Sequence, residues 1–269
     1  LPFSTGVIGE PLPAEKIINS LSQAIATLDS DCWSNAAKGI MTTDTVPKAY
    51  SETFVLAGKQ VTITGIAKGA GMIKPNMATM LAYICTDAEI AADVLQRLCQ
   101  QAANLSFNRI TVDGDTSTND SCMLVASGHG DLVYSEITKE QQLEFAWVLN
   151  KVFLSLAQAI IKDAEGASKF VTISIEEGLD SNECLQLAYA IAESPLVKTA
   201  LFASDPNWGR ILAVVGRAGL ADLDIAKVNI YLGDVCIVEG GGLCSTYTEA
   251  MGQAVMDQSE ISITVKLNR

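Results

Sequence analysis

The sequence predicts an α+β fold with mixed or antiparallel sheets, layered sheet on sheet with helices on the outside. Two observations lead to this class. Short strand-like runs arranged as hairpins alternate with long segments of helical apolar periodicity, and hydrophobic residues make up 49% of the 269-residue chain. That content is sufficient for a substantial buried core. No internal repeat, low-complexity tract or clear linker interrupts the pattern.

The first half of the chain begins with helical spacing and then changes period. Apolar residues from Ile17 to Leu28 follow Pro13 at intervals typical of an amphipathic helix, and a short alanine-rich segment extends to about Ile40. Residues 53–56 and 61–66 alternate as two strands, which predicts a hairpin with a turn at 57–60. Gly69, Gly71 and Pro75 then break regular structure before an apolar strand over 79–86.

The second half continues the alternation of helices and strands. A long helix over 139–162 is the most strongly apolar element, and a strand is still running at the last residues. The remaining predictions are helices over 87–103, 181–192 and 247–256, and strands over 109–112, 121–126, 170–176, 212–215 and 226–238.

Charge and composition exclude several functions. The formal net charge is −13 and no basic run with interleaved aromatics occurs, which argues against nucleic-acid binding. The apolar stretch 145–161 contains Asn150, Lys151 and Gln158, so it predicts a buried helix and no membrane anchor. The seven cysteines have no C-x-x-C spacing, which favours reduced core residues and a cytoplasmic or organelle-matrix location. The absence of an initial Met leads us to expect a fragment or a processed product.

Metal, triad and phosphate chemistry receive little support. His129 is the only histidine and lies in a glycine-rich turn, so a plain turn histidine is favoured over a triad member. The acidic run 113–120 resembles the start of a calcium loop, but Thr118 and Leu124 replace its glycine and glutamate, which favours a polar loop bonded to backbone amides. No zinc spacing and no phosphate-binding glycine motif is present. We therefore predict no metal and no bound cofactor.

Thr79 is the strongest candidate for chemistry. A threonine hydroxyl becomes nucleophilic when the chain is cut before it and its new α-amine acts as the base; that amine titrates near pH 8. An ordinary strand threonine is the alternative. Lys68 is either a fixed cation for a substrate carboxylate or a solvated lysine, and Glu165 either holds an ammonium group or solvates a helix end. Residues 4–9 and 41–45 are small, hydroxyl-rich segments whose amides suit an oxyanion.

Several ordered segments together resemble one family. They are S-T-G-V-I-G, M-T-T-D-T-x-P-K, A-K-G-x-G-M-I-x-P-N-M-A-T-M-L-A, N-R-I-T-V-D-G-D-T-S-T-N-D, D-A-E-G-A-[ST]-K and D-P-N-W-G-R-I-L, which run from Ser4 to beyond Arg210. The chain resembles the ornithine acetyltransferases, also called glutamate N-acetyltransferases, which are self-cleaving enzymes of arginine biosynthesis. The resemblance implies the layered αββα sandwich that this family shares with self-processing aminopeptidases.

The resemblance also implies a mechanism. Cleavage between Ala78 and Thr79 gives an α chain ending at 78 and a β chain starting at 79; Thr79 then takes an acetyl group from N-acetylornithine and passes it to glutamate. The same resemblance implies that Thr5 and Gly6 stabilise the oxyanion. It also implies that the substrate is contacted by Thr42, Lys68, Thr79 and Glu165.

Further implications concern the whole assembly. Residues 1–269 correspond to one catalytic region without the family's N-terminal portion and C-terminal extension, and αβ units assemble into homo-oligomers. Acetyl-CoA is a possible co-substrate, and the location is cytoplasmic, or the mitochondrial matrix in a fungus. Two alternatives stay open: a self-processing amidase or aminopeptidase that uses water as acceptor, and a non-catalytic amino-acid-binding remnant.

Overall fold

The computed structural model describes residues 5–74 and 80–269. Its chain forms two compact units, the first ending at Glu165 and the second comprising Gly166–Arg269. Each unit has its own hydrophobic core, and the two clusters of buried residues share no member. The α+β class with mixed sheets and helices is confirmed.

The first unit contains a four-stranded mixed sheet in the order β1-β2-β3-β4. The β1/β2 and β2/β3 pairs are antiparallel, and β3/β4 is parallel. A parallel neighbour requires a crossover connection, which here contains a helix. The bounds are α1 Ala14–Ala26, α2 Trp33–Gly39, β1 Lys48–Leu56, β2 Lys59–Lys68, β3 Leu81–Thr86, α3 Ala92–Leu105, β4 Ser121–Ala126 and α4 Lys139–Lys162.

The predicted hairpin forms, with longer strands and a tighter turn than expected. Ala57 and Gly58 alone connect β1 to β2, and both have positive φ, 51° and 74°. Two consecutive residues of positive φ make the turn that matches the natural twist of a hairpin. The pairing therefore reaches from Leu56 and Lys59 at the turn to Lys48 and Ala67 at the far end.

Helix α4 is a core helix, as its sequence predicts. By length and composition it would be able to cross a membrane, but eight of its side chains are buried in the first core and it packs on β1, β2 and α3. Gly65 of β2 allows this close packing, because a Cβ at that position would lie 2.8 Å from a methyl carbon of Leu156. Helix α1, in contrast, has no buried residue, and its apolar side chains are exposed.

The second unit contains a five-stranded mixed sheet in the order β5-β9-β6-β7-β8. The β5/β9 pair is parallel and the other pairs are antiparallel. The bounds are β5 Phe170–Glu176, α5 Ser181–Ala192, α6 Pro195–Phe202, α7 Trp208–Arg217, β6 Asn229–Leu232, β7 Val235–Glu239, β8 Gly242–Leu243, α8 Glu249–Met256 and β9 Glu260–Lys266.

Two of the predicted strands are wrong. Residues 212–215 lie inside α7, whose first turn is capped by the Asn207 side chain accepting the Arg210 N–H at 3.2 Å. The predicted strand over 109–112 begins inside a short 3₁₀ turn, Phe107–Arg109, and does not form, although the Val112 N–H donates to the Ile73 carbonyl at 2.7 Å. Short apolar runs fit both helix and strand patterns, and the cap decides the first case.

Helix boundaries also differ from the prediction. Helix α3 begins at Ala92 instead of residue 87, because Glu89 before it pairs with Val133 in an isolated parallel bridge. Helix α6, with Pro195 in its first turn, was not predicted from the sequence.

Candidate active site

The site lies at one edge of the first sheet, where one strand ends and two begin. Lys68 at the end of β2 pairs with Leu81 at the start of β3, and Leu81 pairs with Ser121 at the start of β4. Asp120 immediately precedes Ser121. The antiparallel and parallel pairings therefore bring Lys68 and Asp120 to the same edge, on the two sides of β3.

Lys68 is a buried cation at this edge. The residue is 9% exposed, and its Nζ donates to the Thr5 hydroxyl at 3.5 Å. Among the described residues its amino group makes no salt bridge, which would require a carboxylate oxygen within 4.0 Å. Burial lowers the pKa of Lys68, and the negative charges of Asp44 and Asp120 counteract only part of this effect. Such a group binds an incoming anion strongly, because little water competes.

Asp44 organises the loop before β1 around this lysine. Its carboxylate accepts hydrogen bonds from the Thr42 N–H at 3.1 Å, the Gly69 N–H at 2.7 Å and the Lys48 Nζ at 2.5 Å. Burial by itself raises the pKa of Asp44, but the bonds from Gly69, Lys48 and Thr42 outweigh burial and hold it below its ordinary value. The ionised Asp44 carboxylate therefore links Thr42 to Gly69, the residue that follows Lys68.

Lys48 extends this tie to the end of α4. Its Nζ also donates to Asp163 at 2.6 Å, and the Lys48 side chain is 1% exposed. Asp163 further accepts the Thr45 N–H at 2.9 Å and the Thr45 hydroxyl proton. Although burial opposes ionisation of Asp163, the bonds from Lys48 and Thr45 lower its pKa to about 2. One lysine thus joins two ionised carboxylates from distant parts of the first unit.

Glu165 lies at the same edge, held by its backbone. Its N–H donates to the Ala70 carbonyl at 2.9 Å, and its exposed carboxylate lies against Gly71. A Cβ on Gly71 would lie 3.0 Å from both carboxylate oxygens. A glycine at this position leaves room for the anion beside the loop that follows Lys68.

Asp120 is the most perturbed carboxyl group at this edge. Its Oδ2 is buried and has no hydrogen-bond partner among the described residues. Burial raises the pKa of Asp120 to about 7, against the opposing influence of the Lys68 charge and a hydrogen bond from the Met80 N–H. A carboxyl group in this state titrates at neutral pH, which is unusual for a structural residue and typical of functional sites.

The structure brings most of the sequence candidates together. Thr5, Thr42 and Glu165 all meet the segment 68–71, which contains Lys68. Thr5 contacts Lys68, Thr42 is joined to Gly69 through Asp44, and Glu165 contacts Ala70 and Gly71. Gly6 follows Thr5 in the chain, is exposed, and has open space around its Cα. Ala78 and Thr79 lie outside the described residues.

The charged residues that organise the site were not predicted from the sequence. Asp44 lies in the hydroxyl-rich segment, Lys48 lies just after it, and Asp163 lies two residues before Glu165. The available signal is that each of these charges is close in the chain to a candidate residue. Asp120 was assigned to a polar loop bonded to backbone amides. That interpretation is confirmed for Asp113, which accepts the Met72 and Ile73 N–H groups at 2.6 and 3.0 Å.

The other candidates form no site in the part of the chain that the structure describes. His129 is exposed in a turn, where its N–H donates to the Ser127 hydroxyl at 3.3 Å. No group of three or more His, Cys, Asp or Glu residues among residues 5–74 and 80–269 is arranged to hold a metal ion.

A buried cation, a hydroxyl group and a carboxyl group with a shifted pKa at one edge of a mixed sheet mark a candidate active site, so the fold and site together define an α+β enzyme. The model of the ArgJ family matches residues 1–269, and the chain belongs to this family.

Relatives and a solved structure agree with the family assignment. The arginine biosynthesis bifunctional proteins ArgJ of Pseudomonas syringae pv. tomato and Pseudomonas fluorescens are each 57% identical to this chain, covering 100% of it and 67% of their own length. The chain thus spans about two thirds of these relatives. The crystal structure of arginine biosynthesis bifunctional protein argJ from Bacillus halodurans is similar with a TM-score of 0.61 and 32% identity, over 68% of this chain and 85% of that one.

Proposed function

We propose that this chain belongs to an enzyme that transfers an acetyl group from N2-acetylornithine to glutamate in arginine biosynthesis. The reaction passes through an acetyl ester on Thr79, after cleavage of the bond between Ala78 and Thr79. Membership of the ArgJ family supports the reaction class. The single observation that carries the site assignment is the buried Lys68 amino group, 3.5 Å from the Thr5 hydroxyl and without a salt bridge among the described residues.

Lys68 suits the feature that both substrates share. N-acetylornithine and glutamate each carry an α-carboxylate, so one fixed cation can hold first one and then the other. A cation in a buried position discriminates strongly, because a ligand without the carboxylate leaves the charge unpaired. The exposed Glu165 carboxylate is the matching anion for the side-chain ammonium of the ornithine group.

Thr5 and Gly6 suit the stabilisation of the oxyanion. When the Thr79 hydroxyl oxygen bonds to the acetyl carbon, the carbonyl π electrons move to oxygen, and the hydroxyl proton moves to the Thr79 α-amine. The Thr5 hydroxyl and the Gly6 N–H are the donors for that oxygen. Removing one such donor typically slows catalysis by about 10² to 10³.

Breakdown of this intermediate completes the first half of the reaction. The carbonyl re-forms, the bond to nitrogen breaks, and the α-ammonium returns its proton to the leaving ornithine amine. Glutamate then repeats the sequence in reverse, with its amine as nucleophile, which gives a ping-pong scheme. Acetyl-CoA would enter as an alternative donor at the first half, and no other cofactor is needed.

Cleavage uses the same atoms. The Thr79 hydroxyl attacks the Ala78 carbonyl carbon, the peptide bond is replaced by an ester, and water hydrolyses the ester to leave a carboxylate on Ala78 and an amine on Thr79. The resulting chains remain partners within one αβ unit. We place these units in a homo-oligomer in the cytoplasm.

The test combines a gel with mass spectrometry. Protein from the full-length gene should run as two polypeptides, Thr79→Ala as one, and the exposed Thr27→Ala control as two. After brief exposure to N-acetylornithine, the peptide beginning at Thr79 should carry an acetyl group that glutamate removes. An uncut but fully active protein would contradict the mechanism. Acetyl release to water in preference to glutamate would support an amidase or aminopeptidase, and binding without an adduct would support a non-catalytic remnant.

A further inference from the structure

We propose that Asp120 regulates how tightly Lys68 binds the carboxylate of its substrate. As a neutral acid, Asp120 leaves the Lys68 charge available; as a carboxylate, it competes with the substrate for that charge. The inference rests on the proposed function, in which Lys68 binds an α-carboxylate. It makes Asp120 a positioning residue that acts through Lys68.

The placement of the two groups supports this coupling. Lys68 ends β2 and Asp120 precedes β4, so they approach the same sheet edge from either side of β3. Among the described residues, the buried Asp120 Oδ2 has no hydrogen-bond partner, and the Lys68 amino group donates to the Thr5 hydroxyl alone, at 3.5 Å. Each group therefore has unused capacity for the other or for a ligand.

The other charged groups facing Lys68 are already committed. Among the described residues they are Asp44, whose negative charge raises the pKa of Lys68, and Lys48, whose positive charge lowers it. Asp44 accepts three hydrogen bonds, including one from the Lys48 Nζ at 2.5 Å, and its lowered pKa keeps it ionised throughout the neutral range. Among the described residues, Asp120 is consequently the group near Lys68 whose charge changes at neutral pH.

Electrostatics set the direction of the change in affinity at Lys68 and the pH range over which it occurs. Burial raises the pKa of Asp120 to about 7, and the Lys68 charge opposes that rise. Below this pH the carboxyl group is neutral; above it, a proton passes to solvent and a negative charge appears beside Lys68. A nearby charge shifts the pKa of an ionisable group by about one unit or more, and one pKa unit corresponds to a tenfold change in an equilibrium constant. We therefore expect ionisation of Asp120 to change the affinity for the carboxylate about tenfold.

The experiment measures KM for N-acetylornithine from pH 5.5 to 8.5, together with its equilibrium affinity by calorimetry. Neither the carboxylate nor the side-chain ammonium of this substrate titrates in that range. In the wild type, KM and the dissociation constant should rise about tenfold as pH increases through 7. Asp120→Asn should remove the rise and bind more tightly than the wild type at pH 8.5.

Two controls isolate the coupling. Asp115→Asn makes the same change at an exposed position of the same loop and should keep the wild-type profile. N-acetylputrescine, which is the substrate without its carboxylate, should show no difference between wild type and Asp120→Asn. Lys68→Met should also lose the pH-dependent rise in the dissociation constant, so the proposal stays testable if Asp120→Asn does not fold.

The outcomes separate this inference from the proposed function. A wild-type protein that transfers acetyl groups, while Asp120→Asn or Lys68→Met retains the full pH-dependent rise, would overturn the role of Asp120 alone. An equal effect of Asp120→Asn on N-acetylputrescine would overturn it as well. A wild type that binds neither N-acetylornithine nor glutamate would overturn both.

Discussion

Replacing Lys48 by methionine should lower the free energy of unfolding of the first unit more than replacing a surface lysine does. The side chain keeps its length and apolar stem, so packing changes little, but the charge that joins Asp44 and Asp163 disappears. All three side chains are almost fully buried, with exposures of 1%, 0% and 6%. The substitution therefore leaves two buried carboxylates without their shared cation.

The expected loss is large because the partners remain charged. Removing one member of a buried ion pair typically destabilises a protein by about 3–5 kcal/mol, since the other charge stays buried and unpaired. Here both carboxylates retain backbone donors: Thr42 and Gly69 for Asp44, and Thr45 for Asp163. We therefore expect the lower end, about 3 kcal/mol in the free energy of unfolding at pH 7.

The assay is urea unfolding of the wild type, Lys48→Met and the matched control Lys151→Met. Lys151 also forms an ion pair, with Glu52, but it is 45% exposed, and an exposed pair contributes only about 0.2–1 kcal/mol. The difference between Lys48→Met and the wild type should shrink below pH 4, because protonation removes the unpaired charges. Equal losses for the two variants at pH 7 would refute the reasoning.

Three further predictions concern single positions. Gly71→Ala should raise KM for N-acetylornithine severalfold, with under about 1 kcal/mol change in unfolding free energy, because its Cβ would lie 3.0 Å from the flexible Glu165 carboxylate; steady-state kinetics with an unchanged KM would contradict this. The Asp163 pKa of about 2 lies below its ordinary value, so its stabilisation is complete above pH 4 and is lost as pH falls through 2. In urea unfolding at stepped pH, the free energy of unfolding of Asp163→Asn should therefore fall less steeply than that of the wild type as pH decreases. An identical pH dependence in the two proteins would argue against this role of Asp163. Asp120→Asn should be more stable than the wild type at pH 8 and similar at pH 4, since the folded-state pKa of about 7 lies above the unfolded value and ionisation destabilises the fold as pH rises from 4 to 7; thermal unfolding at both pH values checks this.

Periodicity predicts long elements well and short apolar runs poorly. Helix α4 has the predicted bounds because its apolar pattern is long and a capping box at Thr138 marks its start. Strand β5 has the predicted bounds because apolar and polar residues alternate from Val171 to Glu176. The run at 212–215 is four residues long and fits a buried strand equally well until the Asn207 cap is recognised. The fold class survives such an error because it depends on how helices and strands alternate along the whole chain.

The site is harder to predict than the fold because its charges meet only after the sheet has formed. Lys68 and Glu165 were candidates from the sequence, first because of their charge and position in the chain and then because of the resemblance. Asp120 was not, because nothing local distinguishes it from Asp113 and Asp115 in the same acidic run. Asp120 differs from the other two because it directly precedes β4, and the parallel pairing of β4 with β3 buries its Oδ2 at the same sheet edge as Lys68.

The same sheet edge therefore combines a stabilising network with a destabilising one. Lys48 forms short bonds to Asp44 and Asp163 and lowers the pKa of both. Lys68 and Asp120, in contrast, form no salt bridge with each other, and burial lowers the pKa of Lys68 and raises that of Asp120. A fold selected for stability alone would pair the second set as it pairs the first, because unpaired buried charges are unfavourable. Among the described residues the second set has no ion-pair partner, which is what the proposed carboxylate-binding site requires, and the Lys48 bonds tie the neighbouring loop to Asp163.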